Sequence, residues 1–252
     1  MKLLTREIKC VDHYLKTKRT APFRVAEIQL NCGSEITDRN LVKLLTEKSE
    51  ALVKRINRGA ANDSLFLRSQ ERMSRNLFAG LLSEVAWKFA INHLTSSETL
   101  RSTEFVGSEN QIDLISDTGL TIEVRSSFPR KGINFALCHP NHEFNVVGPY
   151  SNSYKPGEIQ KDIYFMTLFP FEESDLVQRM SGGVLSIYLT GGATKQMFQN
   201  PEFFITKSLT PAERAMEKTF GRASSYRAIP FSRALDTFEI AKLLGDVHSK
   251  FW

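Results

Sequence analysis

The stretch that constrains this chain most is residues 112–127, Ile-Asp-Leu-Ile-Ser-Asp-Thr-Gly-Leu-Thr-Ile-Glu-Val-Arg-Ser-Ser. Two apolar-rich runs flank Asp117-Thr118-Gly119. A short polar segment with glycine between two β-branched runs signals a β-hairpin. In the second run Leu120, Ile122 and Val124 alternate with Thr121, Glu123 and Arg125. A period of two puts the apolar three on one face of a strand and the polar three on the other. In the first run Asp113 lies between Ile112 and Leu114, and so faces away from both. If the strands pair across the turn, Asp113 and Glu123 project from the same side of the sheet. Two carboxylates fixed on adjacent strands, with a cation two residues after the second, suit a hard divalent metal ion. The alternative is a pair of solvated charges on the outer face of a hairpin.

The 252 residues suffice for one large domain or for a core with an added lobe, and 41% apolar content with 18 Phe can fill a substantial interior. No run of eighteen apolar residues occurs, so no membrane helix is expected. The opening Met-Lys-Leu-Leu-Thr-Arg-Glu has no apolar h-region, so no secretory signal is expected. Cys10, Cys32 and Cys138 are odd in number and widely spaced, which fits reduced thiols and a cytoplasmic location. A net charge of +5 suits a polyanionic partner.

Residues 23–30 partly alternate and read as a strand. Thr37 or Asp38 can cap a helix to about Asn57, with Leu41, Leu44, Leu45, Ala51, Leu52 and Ile56 as its stripe. Asp63 or Ser64 can cap a second helix, or helix pair, to about Leu94, with Leu77, Leu81, Val85 and Phe89 as its ridge. Gly80, one turn before Glu84, would admit a neighbouring backbone. Residues 162–169 and 184–190 read as buried strands, the second between the glycine pairs 182–183 and 191–192, which read as turns. Residues 193–199 start a short helix. Residues 134–160 read as a long loop. Thr210, Pro211 and Glu213 form a capping box, and residues 235–248 a last helix.

Other chemistries find little support. Cys138-His139-Pro140-Asn141-His142 gathers only three zinc-type ligands without a second pair at suitable spacing. No Gly-x-x-x-x-Gly-Lys-Ser/Thr loop and no Gly-x-Ser-x-Gly elbow occurs.

The order of the acids is distinctive: a helical segment carrying Glu84, then Asp113, then Glu123-Val124-Arg125. Over residues 75–190 this order resembles the PD-(D/E)XK nuclease superfamily, whose pattern is a helix glutamate, an aspartate at a strand start and an acid-x-lysine on the next strand. Ile112 stands where the pattern has proline, and Arg125 where it has lysine. The resemblance implies an α/β fold, a restriction-endonuclease-like central mixed sheet flanked by helices, with helical additions at both ends. Residues 1–70 would form a helical or mixed region packed on the core, 71–200 the nuclease core, and 201–252 a helical C-terminal region.

It further implies a Mg²⁺-dependent endonuclease hydrolysing double-stranded DNA, most like a type II restriction enzyme of bacteria or phage, acting as a homodimer. Asp113 and Glu123 would be direct ligands, with the main-chain carbonyl of Val124 as a further one. Glu84 would hold a water on the ion or a second ion, and Mn²⁺ could substitute. Arg125 cannot be a general base, because a guanidinium stays protonated, but it can bind a non-bridging oxygen. Arg68, Arg72, Arg75, Arg130, Lys131, Lys155 and Lys161 are candidate phosphate contacts, the first three having a solvated helix face as their alternative. Two other readings stay open: a binding protein that kept the fold and lost turnover, and a repair nuclease that reads structure.

Overall fold

A strand with large apolar side chains on both of its faces must be covered on both sides. Ile163–Leu168 is such a strand, buried at every position. The computed structural model describes residues 1–8, 11–12, 17–18, 23–56, 68–104, 111–128, 138–139, 142–143, 145–149, 159–208 and 225–247. In chain order the strands are Lys2–Ile8 (β1), Phe23–Asn31 (β2), Leu100–Ser102 (β3), Leu114–Ser116 (β4), Thr121–Ser127 (β5), Asn145–Val147 (β6), Ile163–Leu168 (β7), Val184–Thr194 (β8), Ile205–Ser208 (β9) and Ser225–Pro230 (β10). The α-helices are Ile36–Val53 (α1), Gln70–Thr95 (α2), Leu176–Met180 (α3) and Thr237–Leu244 (α4). Two minimal ladders, Val11–Asp12 with Thr17–Lys18 and Cys138–His139 with His142–Glu143, stand apart.

A seven-stranded sheet runs β1-β2-β8-β7-β5-β4-β3, and a three-stranded sheet runs β6-β10-β9. In the larger sheet only β5 and β7 are parallel, the other pairings being antiparallel. The protein is therefore a mixed α/β structure with helices against its sheet. Residues 1–31, read from the sequence as part of a separate region, supply two strands of this same sheet. Residues 201–252, read as helical, contribute β9 and β10. No helix among the described residues is long and apolar enough to cross a membrane.

The period of two divides the core. Ala26, Ile28, Ile122, Val124, Phe165 and Ile187 pack with Phe78, Leu82, Trp87 and Ile91 of α2 and Phe238 and Ile240 of α4. Phe23, Val25, Tyr164, Met166 and Leu168 belong to a second cluster with Phe198, Ile229 and Phe231. α1 lies against α2. Trp87 is fully buried; its ring stacks on Phe165 at 4.3 Å, and Nε1 donates to Thr167 Oγ1 at 3.1 Å. Trp87→Phe removes that donor and part of the ring, and should lower stability by about 2 kcal/mol in urea denaturation.

Several local expectations are corrected. α1 starts at Ile36, with neither Thr37 nor Asp38 as its cap. The Asp38 carboxylate instead turns back to accept from Asn31 N at 2.8 Å. The buried stripe of α1 is Val42, Leu45, Ser49, Leu52 and Val53, while Leu44 is exposed. α2 is capped by Ser69, whose hydroxyl accepts from Arg72 N. It buries Phe78, Leu82, Ala86, Ala90 and Leu94 more deeply than Leu77, Val85 and Phe89, because it packs on several sides. Gly80 has nothing within 4 Å of where a Cβ would sit, so it admits no close backbone.

The pair Gly191-Gly192 is not a turn. β8 runs through it, and Gly192 exchanges backbone hydrogen bonds with Leu235 at 2.9 Å each way. No helix forms over 193–199. The last helix is shorter than expected and carries the capping box that the sequence reading missed. Asp236 accepts from Phe238 N and Glu239 N, and Glu239 accepts from Asp236 N. The box at Thr210, and the Asp63 or Ser64 cap, lie outside the described residues.

Candidate metal and catalytic site

The hairpin forms where its residues demand it. Gly119 takes φ +87°, a left-handed value that favours glycine, and its amide donates to Ser116 O at 3.0 Å. Leu114 pairs with Ile122 and Ile115 with Thr121. The regular ladder ends at Leu114. Asp113 N donates to Ile122 O at 3.1 Å, and Asp113 Oδ2 accepts from Val124 N at 2.7 Å. The carboxylate thus takes a place that a strand carbonyl would fill. Asp113 is 9% exposed, which sets aside the solvated-charge alternative for this residue.

Glu123 and Arg125 follow on β5, both mostly buried, with Arg125 Nη2 3.7 Å from Glu123 Oε1. The Arg125 guanidinium carbon also lies 6.0 Å from the ring centroid of Tyr164 on β7. Glu84 comes from the middle of α2, next to fully buried Ser83. Burial, and then the charge of Asp113, push its carboxyl well above the usual glutamate range; Glu123 adds to the rise and Lys48 opposes it. Acids from one helix and two adjacent strand segments therefore share one electrostatic neighbourhood.

This has a consequence for the metal-free protein. A carboxyl raised on folding binds its proton more tightly in the native state, so stability falls as pH climbs above the ordinary glutamate range. Glu84→Gln should melt higher than the parent at neutral pH in EDTA, and the difference should vanish at acidic pH, where both forms are neutral. Thermal melts across pH check this.

Among the described residues no group of three or more His, Cys, Asp or Glu is gathered closely enough to hold a metal ion. The neighbourhood still suits a hard cation in donor type. Its acids are all oxygen donors, and the burial and the repulsion from Asp113 and Glu123 that raise the Glu84 carboxyl are what a divalent charge would offset. Mg²⁺ commonly takes one or two carboxylates and keeps several waters, so Asp113 and Glu123 would be sufficient side-chain ligands.

The expected phosphate contacts fare differently. Arg72 and Arg75 both pair with Glu173, at 3.3 and 3.1 Å, and Arg75 also pairs with Glu71. These bonds tie the start of α2 to the turn at Glu173–Asp175. Arg68 is half-buried just before that helix. Lys161 is 1% exposed and its ammonium donates to Ile159 O, so it is withdrawn from the surface where a backbone phosphate would lie. Arg130, Lys131 and Lys155 lie outside the described residues, as do the side chains of Cys138, His139 and His142. Lys48 on α1 is the cation that sequence reasoning missed; no spacing rule links it to an acid 36 positions later, because only the packing of α1 on α2 brings them together.

Comparison with known proteins adds one finding. The chain is 30% identical over 125 residues to the uncharacterised protein MJECS01 of Methanocaldococcus jannaschii, and the match covers 43% of each chain. It thus spans less than half of that relative. No family model matches the chain, and no solved structure does.

Proposed function

We propose that the chain is a divalent-metal-dependent DNA endonuclease with a restriction-endonuclease-like core, most like a type II restriction enzyme. The observation that carries this reading is the common neighbourhood of Glu84, Asp113 and Glu123, in the chain order that the resemblance requires. The path of the chain is in keeping with it: α2, then the antiparallel strands β3, β4 and β5, then β7 parallel to β5.

In this reading Asp113 and Glu123 would hold Mg²⁺ or Mn²⁺, with the Val124 carbonyl as a further ligand and Glu84 on a metal-bound water or a second ion. The ion, when bound, neutralises charge at phosphorus and makes a water more acidic. Val124 N–H fixes Oδ2 of Asp113 and so orients that carboxylate. Arg125 stays protonated and binds a non-bridging phosphate oxygen, where charge develops. To do so it must leave Glu123, at 3.7 Å, for the phosphate. A homodimer would match the two-fold symmetry of a palindromic site.

The test is incubation with unmodified plasmid or phage DNA and Mg²⁺, followed by sequencing of the ends. Discrete ends that disappear in EDTA are expected. Cleavage that persists in EDTA, or none on any DNA, contradicts the reading. Preference for forks or flaps over plain duplex would mark a repair nuclease.

The Arg125–Glu123 pair itself favours a second reading, a binding protein without turnover. A guanidinium seated on a ligand carboxylate competes with a metal ion for it. Salt-dependent DNA binding without metal-dependent cleavage is its signature.

A further inference from the structure

Where β7, β9 and β10 meet the turns that follow β8, the protein forms an open cleft of about 390 Å³. That volume is within the range of small-molecule sites, roughly 300–1,000 Å³. Tyr164, Phe198 and Tyr226 give it aromatic walls, Lys195 and Arg227 bring positive charge, and Gln160 adds an amide. None of the described residues lining it is acidic.

The walls are fixed in advance. Arg227 Nη1 donates to Phe198 O at 2.6 Å, and its guanidinium carbon lies 4.5 Å from the Phe204 ring centroid. The Tyr164 hydroxyl accepts from Lys161 N at 3.0 Å, and the Tyr164 ring meets Phe198 edge-on at 5.1 Å. Lys195 shares its charge with Asp162, whose carboxylate is held low chiefly by hydrogen bonds from Thr121. The cleft also adjoins the acids: Tyr164 is the register partner of Glu123, and the Arg125 guanidinium stands by its ring.

We propose that this cleft binds a nucleotide, its base against Tyr226 and its phosphate on Lys195 and Arg227. Tyr226, the least buried of the three rings, can stack on any base, and an amide can read a base edge. Two cations on one cleft, with Asp162 near Lys195 but no acid among the described lining residues, favour a phosphate over a neutral ring compound. The nucleotide is either free or turned out of a DNA strand; the strand-borne form rests on the nuclease reading, and the free form does not.

Calorimetry with deoxynucleoside 5′-monophosphates, in EDTA, tests the shared chemistry. Saturable binding is expected, weakened at least about tenfold by Lys195→Ala and by Tyr226→Ala and retained in Lys195→Arg. Inorganic phosphate should bind more weakly than the nucleotide. A duplex carrying 2-aminopurine separates the sources. A fluorescence rise lost in Tyr226→Ala marks a strand nucleotide, and binding of monophosphates without that rise marks a free one.

The proposal is overturned if neither probe responds at millimolar nucleotide, if phosphate alone binds as tightly, or if both alanine variants, folded by circular dichroism, bind like the parent. Intact cleavage with no nucleotide binding would remove this site and leave the nuclease. Nucleotide binding with no cleavage of any DNA would do the reverse.

Discussion

Asp113→Asn should cut Mg²⁺-dependent DNA cleavage by at least about 10³-fold, equivalent to about 4 kcal/mol of transition-state stabilisation, while leaving the melting temperature nearly unchanged. The two halves of the expectation have separate causes. Asparagine keeps an oxygen that can accept from Val124 N, so the end of the hairpin stays closed. It loses the charge that would hold a divalent ion beside Glu123. Asp113→Ala should lose cleavage as well, but it also strands a buried amide, at about 1–3 kcal/mol of stability. Comparing the two separates the chemistry from the fold. Cleavage rates near the parent level in Asp113→Asn would remove the residue from the site.

Gly191→Ala should destabilise the protein by about 3 kcal/mol or more. Gly191 has φ +87°, and a Cβ there would come 2.0 Å from Leu235 O and 2.9 Å from Asp236 Cα. Both obstacles are backbone, so no side chain can rotate away. The displaced segment includes Asp236, which caps α4 and accepts from Arg24 N at 3.1 Å on β2. The damage therefore reaches the sheet. Gly80→Ala is the control: the same substitution, in a helix with nothing within 4 Å, should raise stability by up to about 1 kcal/mol. Equal effects in urea denaturation would show that backbone crowding at 191 is not what the glycine serves.

The contrast between those glycines marks what a sequence can and cannot disclose. Local patterns were legible: the alternation that ends at Arg125, the turn at Gly119, and the buried run that became β7. Gly191 was misread because a pair of glycines after a strand has the local chemistry of a turn. Only the approach of Leu235, 44 residues later, shows why the strand passes through it. β9 and β10 were missed for a related reason. Each is short, and β10 pairs with β6 some 80 residues earlier.

At the site, the order of Glu84, Asp113 and Glu123 could be read, as could the cation on β5. The burial of Lys161, the engagement of Arg72 and Arg75 by Glu173, and the presence of Lys48 could not, because each depends on a contact between distant segments. The cleft at Tyr164 belongs to the same class, since its walls come from three strands and a turn.

The most direct test is a crystal of the protein soaked with Mn²⁺ and located by its anomalous scattering. One ion bound through carboxylate oxygens of Asp113 and Glu123, with Glu84 on the same side, at roughly the 2.0–2.2 Å typical of small divalent ions, is the predicted result. Crystals that take up Mn²⁺ elsewhere, with the Arg125 guanidinium still on Glu123 and these acids unligated, would contradict the account.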